Sequence, residues 1–187
     1  MIDTLNLIIF AGLLAILYGY IVGKQILLAS PGNKKMQEIA SKKNEEFKEL
    51  EAKADSLDSG LKIYFENKGD GKKPKNGQQV KVSYEGYFAD GTIFDTSKKE
   101  LAQEMGIYDH RRDTSGQYGP MTTVYGPDAP MIPGFKEALQ QMQVGDKAVV
   151  FIPSAMGYGE RGAGGVIPPN TDLIFKIEMI EIVDDSK

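Results

Sequence analysis

The sequence contains no cysteine and only one histidine, His110, and its 22 lysines and arginines are outnumbered by 26 aspartates and glutamates. Without cysteine, disulfide frameworks, thiolate zinc sites, cysteine nucleophiles and a lipid-bearing N-terminal cysteine are excluded. A lone histidine argues against a histidine-built metal centre or a Ser-His nucleophilic unit, and next to two arginines it reads as solvated rather than as a ligand. The net charge of −4 provides no cationic field for phosphate backbones, so nucleic acid is not an expected partner. No cofactor or metal is implied. At 187 residues the chain holds one domain of roughly 100 to 150 residues and a substantial extension.

The apolar residues of the first thirty positions are concentrated in one run, Leu5 to Gly23, whose only strongly polar member is Asn6. As a helix this run spans about 28 Å, close to the hydrocarbon thickness of a bilayer. The expectation for residues 1–30 is therefore a single transmembrane anchor. The rival reading, a cleaved secretory signal, fits less well: Met1 to Thr4 carries an acid and no base, and Leu27-Leu28-Ala29 offers a bulky residue at the cut. Lys24, Lys34, Lys35, Lys42 and Lys43 all follow the run and none precedes it, which places the C-terminal part in the cytoplasm by charge bias. The alternative, an extracytoplasmic domain, stays open because folded domains can be exported regardless of charge.

Residues 31–58 read as a charged amphipathic linker. From Lys34 to Leu57 apolar residues recur at helical spacing, and Glu38 with Lys42 and Glu49 with Lys53 form oriented i, i+4 pairs. A solvated spacer, a dimerising coiled coil and a helix lying on the membrane are all compatible with this pattern. The stretch GYIVGKQILLASPGNKKMQEIA also resembles the first transmembrane helix and following turn of membrane-integral pyrophosphatases. That resemblance implies a borrowed anchor facing the cytoplasm on its C-terminal side. It implies no pyrophosphatase activity, since the repeated carboxylate motifs of such a pump are absent.

From Leu61 the period changes. Val80, Val82 and Tyr84 alternate with polar residues as a strand, and Asp90-Gly91 marks a hairpin turn. Pro133 opens a short helix lined by Phe135, Ala138, Leu139 and Met142, with Gly145 as its stop. Ala148 to Pro153 and Asp172 to Val183 supply two more strands. The expected class is α+β, an antiparallel sheet with one short helix. Gly157, Gly159 and Gly162 spell the dinucleotide fingerprint G-x-G-x-x-G, but Gly164, Gly165, Pro168 and Pro169 forbid the helix it must open. A shaped, solvent-facing loop is expected there instead.

Five ordered segments carry a further resemblance: Val82 to Gly86, Asp90 to Ser97, Met131 to Leu139, Met142 to Gly145, and Gly157 to Phe175 through Val166-Ile167-Pro168-Pro169. In order and spacing they resemble the FKBP family of peptidyl-prolyl cis-trans isomerases, over nearly all of residues 61–183. The resemblance implies a domain at 59–187, its antiparallel sheet curled around the short helix, with an apolar pocket for a proline ring between them. Carried over, the pocket is walled by Tyr84, Phe94, Met131, Ile132, Tyr158, Ile167 and Phe175, floored by Phe135 and edged by Asp95, with Met121 where the family usually has an aromatic. Tyr84, Phe94, Asp95, Phe135, Tyr158, Ile167 and Phe175 are the expected catalytic set, and Met121, Met131 and Ile132 the substrate-binding set.

In that scheme the Tyr158 hydroxyl and the Ile167 amide position the substrate carbonyls. Asp95 either stabilises the twisted amide or holds Tyr84 in place. The implied partners are proline-containing protein clients and macrolides such as tacrolimus. Two departures stand out: Phe135 where many members have tryptophan, and an insertion at about 98–119. The insertion reads as a lid or client-binding extension, or equally as a neutral surface loop. A module that captures proline segments without turnover is the competing function.

Overall fold

The computed structural model describes residues 31–183. The expected membrane anchor at Leu5 to Gly23 lies outside them, as does most of the pyrophosphatase-like stretch. Among the described residues no helix is long and apolar enough to cross a membrane.

Helix α1 runs from Pro31 to Glu51. It is followed by strands β1 (Asp55–Ser56), β2 (Lys62–Asn67), β3 (Gln79–Phe88) and β4 (Ile93–Thr96), then by short helices α2 (Lys99–Glu104) and α3 (His110–Thr114). Strand β5 (Met121–Val124), helix α4 (Pro133–Gln141) and strands β6 (Lys147–Ile152) and β7 (Leu173–Val183) complete the chain. All pairings are antiparallel, in the order β1-β2-β6-β7-β3-β4, with β5 also paired to β3. Strand β7 pairs with β6 on one side and with the whole of β3 on the other, so among the described residues it alone joins the two halves of the sheet.

Period-two alternation explains how the sheet fills two cores. On one face Ala148, Val150 and Ile152 of β6 and Leu173, Phe175, Ile177 and Met179 of β7 pack with Phe135, Ala138 and Leu139 of α4 and with Met142 just after it. On the other face Val149, Phe151 and Ile174 pack with Tyr87, Ile93 and Phe47. Because β6 is covered on both sides it reads as an unbroken apolar run, whereas the outward positions of β7 past Phe175 are Lys176 and Glu178. Helix α4 can lie close to β6 because Gly134 faces Ile152 there, where any Cβ would collide with it.

The compact unit spans Ala40–Lys187, so the second half of α1 belongs to it and the boundary falls earlier than the expected residue 59. Phe47 is 1% exposed and its ring meets that of Tyr87 edge-on at 5.1 Å. This segment is not a solvated spacer, because its apolar stripe covers a sheet face that would otherwise be wet. The expected i, i+4 pairs give way to Lys43–Glu46 and Lys48–Glu45, three residues apart, and to Lys62–Glu51 and Lys176–Glu46, which tie α1 to β2 and β7. The Asn44 side-chain amide donates to the Ala89 carbonyl at 2.5 Å, and Gly91 lies so close to the Ala40 carbonyl that no Cβ would fit.

Candidate active site

On the α4 side of the sheet, four aromatic rings converge. Phe175 of β7 is central, with ring centroids 5.2 Å from Phe135, 5.7 Å from Phe94 and 6.3 Å from Tyr84. Tyr84 and Phe135 are 6.3 Å apart and almost perpendicular. Edge-to-face packing sets the positive rim of one ring against the negative face of the next, which fixes the ring planes. Gly86 makes room for it: a Cβ there would come within 2.7 Å of Phe94 and 3.0 Å of Phe175. Phe135 and Phe175 are buried, while Tyr84, Phe94, Met121, Met131 and Ile132 are partly buried against the same cluster.

Asp95 lies at the rim, on β4. Its Oδ2 accepts the Tyr84 hydroxyl at 2.8 Å, and its Oδ1 accepts the Thr96 amide at 2.8 Å and Nη1 of Arg112 at 2.6 Å. Both carboxylate oxygens are therefore engaged. Burial, reinforced by the neighbouring Asp95 charge, pushes the Tyr84 hydroxyl well above the ordinary tyrosine range, so it stays protonated and donates. For Arg112, burial opposes the charge but the Asp95 carboxylate outweighs it and the guanidinium is held more firmly cationic. This arrangement has no nucleophile with an adjacent base. What it offers is an apolar, aromatic surface with a fixed dipolar rim, suited to binding a small ring and to changing the conformation of a bond rather than breaking one.

Comparison with known proteins decides the family, because residues 70–180 match the family model described as FKBP-type peptidyl-prolyl cis-trans isomerase. The chain belongs to this family. An FK506-binding protein of Neisseria meningitidis serogroup B is 36% identical over 125 residues, covering 67% of this chain and 98% of that protein. The FKBP-type 22 kDa peptidyl-prolyl cis-trans isomerase of Escherichia coli is 35% identical over 156 residues, 83% of this chain but only 62% of the relative's length. A crystal structure of a peptidyl-prolyl cis-trans isomerase from Pseudomonas syringae pv. tomato superposes with a TM-score of 0.55 at 30% identity, covering 79% of this chain and 96% of that one.

Within this FKBP-type domain, the two expected carbonyl-binding groups fare differently. The Ile167 amide donates to the Ala163 carbonyl at 3.0 Å, and the Ala163 amide returns a bond to Ile167 at 2.9 Å. The expectation that the Ile167 amide serves a substrate is thereby corrected: the tight bridge that shapes the loop consumes it. The Ile167 side chain is buried and remains part of the apolar wall. Tyr158 is 40% exposed on the same loop, within reach of an incoming chain. Among the described residues the Ile132 amide, which precedes α4, donates to no group.

Sequence reasoning missed Arg112. The insertion is neither unstructured nor detached: Asp109 caps α3 by accepting the Arg111 amide at 2.7 Å, and the turn that follows leaves Arg111 in solvent while aiming Arg112 at Asp95. A neighbouring pair of arginines in a mixed-charge loop gives no sign of which one faces inward.

Proposed function

We propose that this protein is a membrane-anchored peptidyl-prolyl cis-trans isomerase that accelerates X-Pro rotation in protein clients and so assists their folding. The convergence of Tyr84, Phe94, Phe135 and Phe175 carries this reading. Rotation about an X-Pro bond faces a barrier of about 18 to 20 kcal/mol because it destroys amide resonance. The twisted imide is less dipolar than the planar one, so an apolar pocket favours it over the ground state. Lowering the barrier by about 5 to 7 kcal/mol gives an acceleration on the order of 10⁴ to 10⁵. No cofactor takes part in this scheme.

The roles fall to groups already described. Phe135 and Phe175 take the proline ring, with Phe94, Ile167, Met121, Met131 and the Ile132 side chain around it. The unpaired Ile132 amide, rather than that of Ile167, takes a substrate carbonyl, and the Tyr158 hydroxyl takes another. Asp95 holds Tyr84. The names of the Neisseria relatives specify FK506, and the pocket is expected to accept this macrolide, tacrolimus, in competition with clients. The apolar run Leu5 to Gly23 and the lysines behind it support a single-pass anchor with the domain in the cytoplasm.

Magnetisation-exchange NMR on a short X-Pro peptide tests the activity. Exchange broadening at micromolar protein, abolished by tacrolimus, is the expected result. Peptide binding without faster exchange would instead establish a capture module, the reading favoured by Phe135 at the floor and Met121 at the wall. Protease treatment of sealed inside-out and right-side-out vesicles tests the anchor and its orientation together.

A further inference from the structure

We propose that Met121 and Met131 form an oxidation site through which a hydroperoxide switches the aromatic pocket off, by converting their thioethers to sulfoxides; the inference rests on the isomerase reading above. Sulfur in this chain is confined to methionine, eight residues against no cysteine, so an oxidant finds thioethers and no thiol. The methionines are unevenly protected. Met142 and Met179 are 0% exposed within the core that α4 covers. Met121, Met131 and Met156 are only partly buried and pack against that same cluster, along with Tyr84, Phe94 and Ile132. Peroxide therefore reaches the pocket methionines without any opening of the fold.

Backbone geometry holds both residues at the pocket. Met121 lies opposite Val82 in the β3–β5 ladder, on the face that β3 turns to the core, and Tyr84 follows on that face two residues along. Met131 immediately precedes Ile132, whose amide is assigned above to a substrate carbonyl, and its own amide is tied to the Ala129 carbonyl at 2.8 Å. An apolar wall needs only carbon at these two places, and leucine would line it while remaining inert to peroxide. Met156 approaches the cluster from a different side, on the turn that leads to Tyr158.

The step is a two-electron oxygen transfer. A sulfur lone pair attacks one peroxide oxygen, the S–O bond forms as the O–O bond breaks, and the departing oxygen takes the proton of the transferred one and leaves as water or an alcohol. Sulfur is oxidised and the peroxide is reduced. The product carries a strongly polar oxygen that needs a hydrogen-bond donor. The phenyl rings of Phe94, Phe135 and Phe175 have none, and the Tyr84 hydroxyl already donates to Asp95. Only water can satisfy the sulfoxide, and a proline ring entering the pocket must then displace that water without replacing its bonds. Methionine sulfoxide reductases, one for each epimer at sulfur, make the change reversible.

The test treats the full chain in detergent micelles with graded hydrogen peroxide, locates sulfoxides by peptide mass spectrometry, and follows exchange NMR on an X-Pro peptide, tacrolimus calorimetry and a thermal melt at each stage. Met121 and Met131 are expected to oxidise well before Met142 and Met179, with kcat/KM falling about tenfold, tacrolimus affinity falling with it, and melting temperature little changed. Both reductases together should restore the activity. The double variant Met121→Leu, Met131→Leu, compared with its own untreated form, should lose less than about twofold on the same treatment, while Met156→Leu should lose as much as the unaltered chain. Full oxidation at 121 and 131 with activity kept within about twofold, an undiminished loss in the double variant, or protection in Met156→Leu overturns the proposal. Should the double variant not fold, the time course decides: loss of activity in step with the sulfoxides at 121 and 131 supports the site, and loss in step with another methionine removes it. An untreated chain without activity overturns the isomerase reading itself.

Discussion

Replacing Phe47 by alanine tests the second core directly. The phenyl ring is 1% exposed and is wedged by α1 against Tyr87, with Ile93, Val149, Phe151 and Ile174 forming the rest of the cluster. Burying such a side chain is worth about 1.5 to 3 kcal/mol from transfer alone, and removing it leaves a cavity that raises typical Phe→Ala costs to about 3 to 5 kcal/mol. The low end applies here, because α1 is held by one face and can settle partway into the gap. It cannot settle fully, since the approach of its backbone to Gly91 and the Asn44 bond to Ala89 already fix its distance from the β3–β4 hairpin. The expected loss is thus about 3 kcal/mol, and the midpoint of thermal unfolding should fall by roughly 6 to 12 °C for a domain of this size. Urea unfolding followed by far-UV circular dichroism measures it, with the slope of free energy against denaturant checked for constancy. A loss below about 1 kcal/mol at unchanged slope would refute the docking of α1 and return the segment to a solvated spacer.

Phe175→Ala removes the ring that touches the other three aromatics, so proline-peptide turnover and tacrolimus binding should both fall below detection by exchange NMR and calorimetry while the sheet, measured by circular dichroism, persists. Gly91→Ala adds a Cβ at φ +85° against the Ala40 carbonyl, whereas Gly77→Ala meets a similar φ of +87° with nothing nearby. Chemical denaturation should show about 1 kcal/mol lost at Gly77 and clearly more at Gly91, the excess reporting the packing of α1. Stability should also fall at both pH extremes. Burial pushes the Glu85 carboxyl up, but bonds from Lys98 and Tyr87 outweigh it and hold the group below its ordinary 4.5, so its contribution is present above that value and lost as pH falls. Burial likewise opposes the Lys176 charge while Glu66 and Glu46 hold it above its ordinary 10.5, so that contribution is present below 10.5 and lost as pH rises. Melting temperatures across the pH range should show a plateau between these limits. Lys176→Met should shrink the alkaline fall without erasing it, because the Tyr84 and Tyr87 hydroxyls, also held above their ordinary value, still lose their contributions as pH rises.

Much of the sheet was legible because its two faces have different neighbours. Val80, Val82 and Tyr84 alternate since β3 turns them to the core, and Asp90-Gly91 makes the turn it announces, with Gly91 at positive φ. Pro133 begins α4 as expected, although the helix ends at Gln141, ahead of the Gly145 stop. The rings of the site were legible only as an ordered set, because any single aromatic reads equally well as core. What the sequence did not disclose was long-range. Phe47 looks like one member of an amphipathic stripe, and nothing local says that the stripe is met by Tyr87 and Phe151. Arg112 is 17 residues from Asp95, and its direction depends on where a short capped helix is placed. The fate of the Ile167 amide turned on a single bridge to Ala163, a hydrogen bond that a glycine-rich loop can make or omit without any change in composition.

The central position of β7 bears on how such a chain comes into being on the ribosome. Every other strand named here is translated before it, yet β1-β2-β6 and β3-β4-β5 share no edge until it slots between them. Until the last of these strands leaves the exit tunnel the two groups have no shared edge, Phe135 lacks Phe175 and Phe47 lacks Ile174, so the aromatic site cannot be completed. The FKBP-type domain thus depends on late, long-range closure, and shortening the chain ahead of Leu173 is expected to leave a sticky fragment rather than a weaker enzyme.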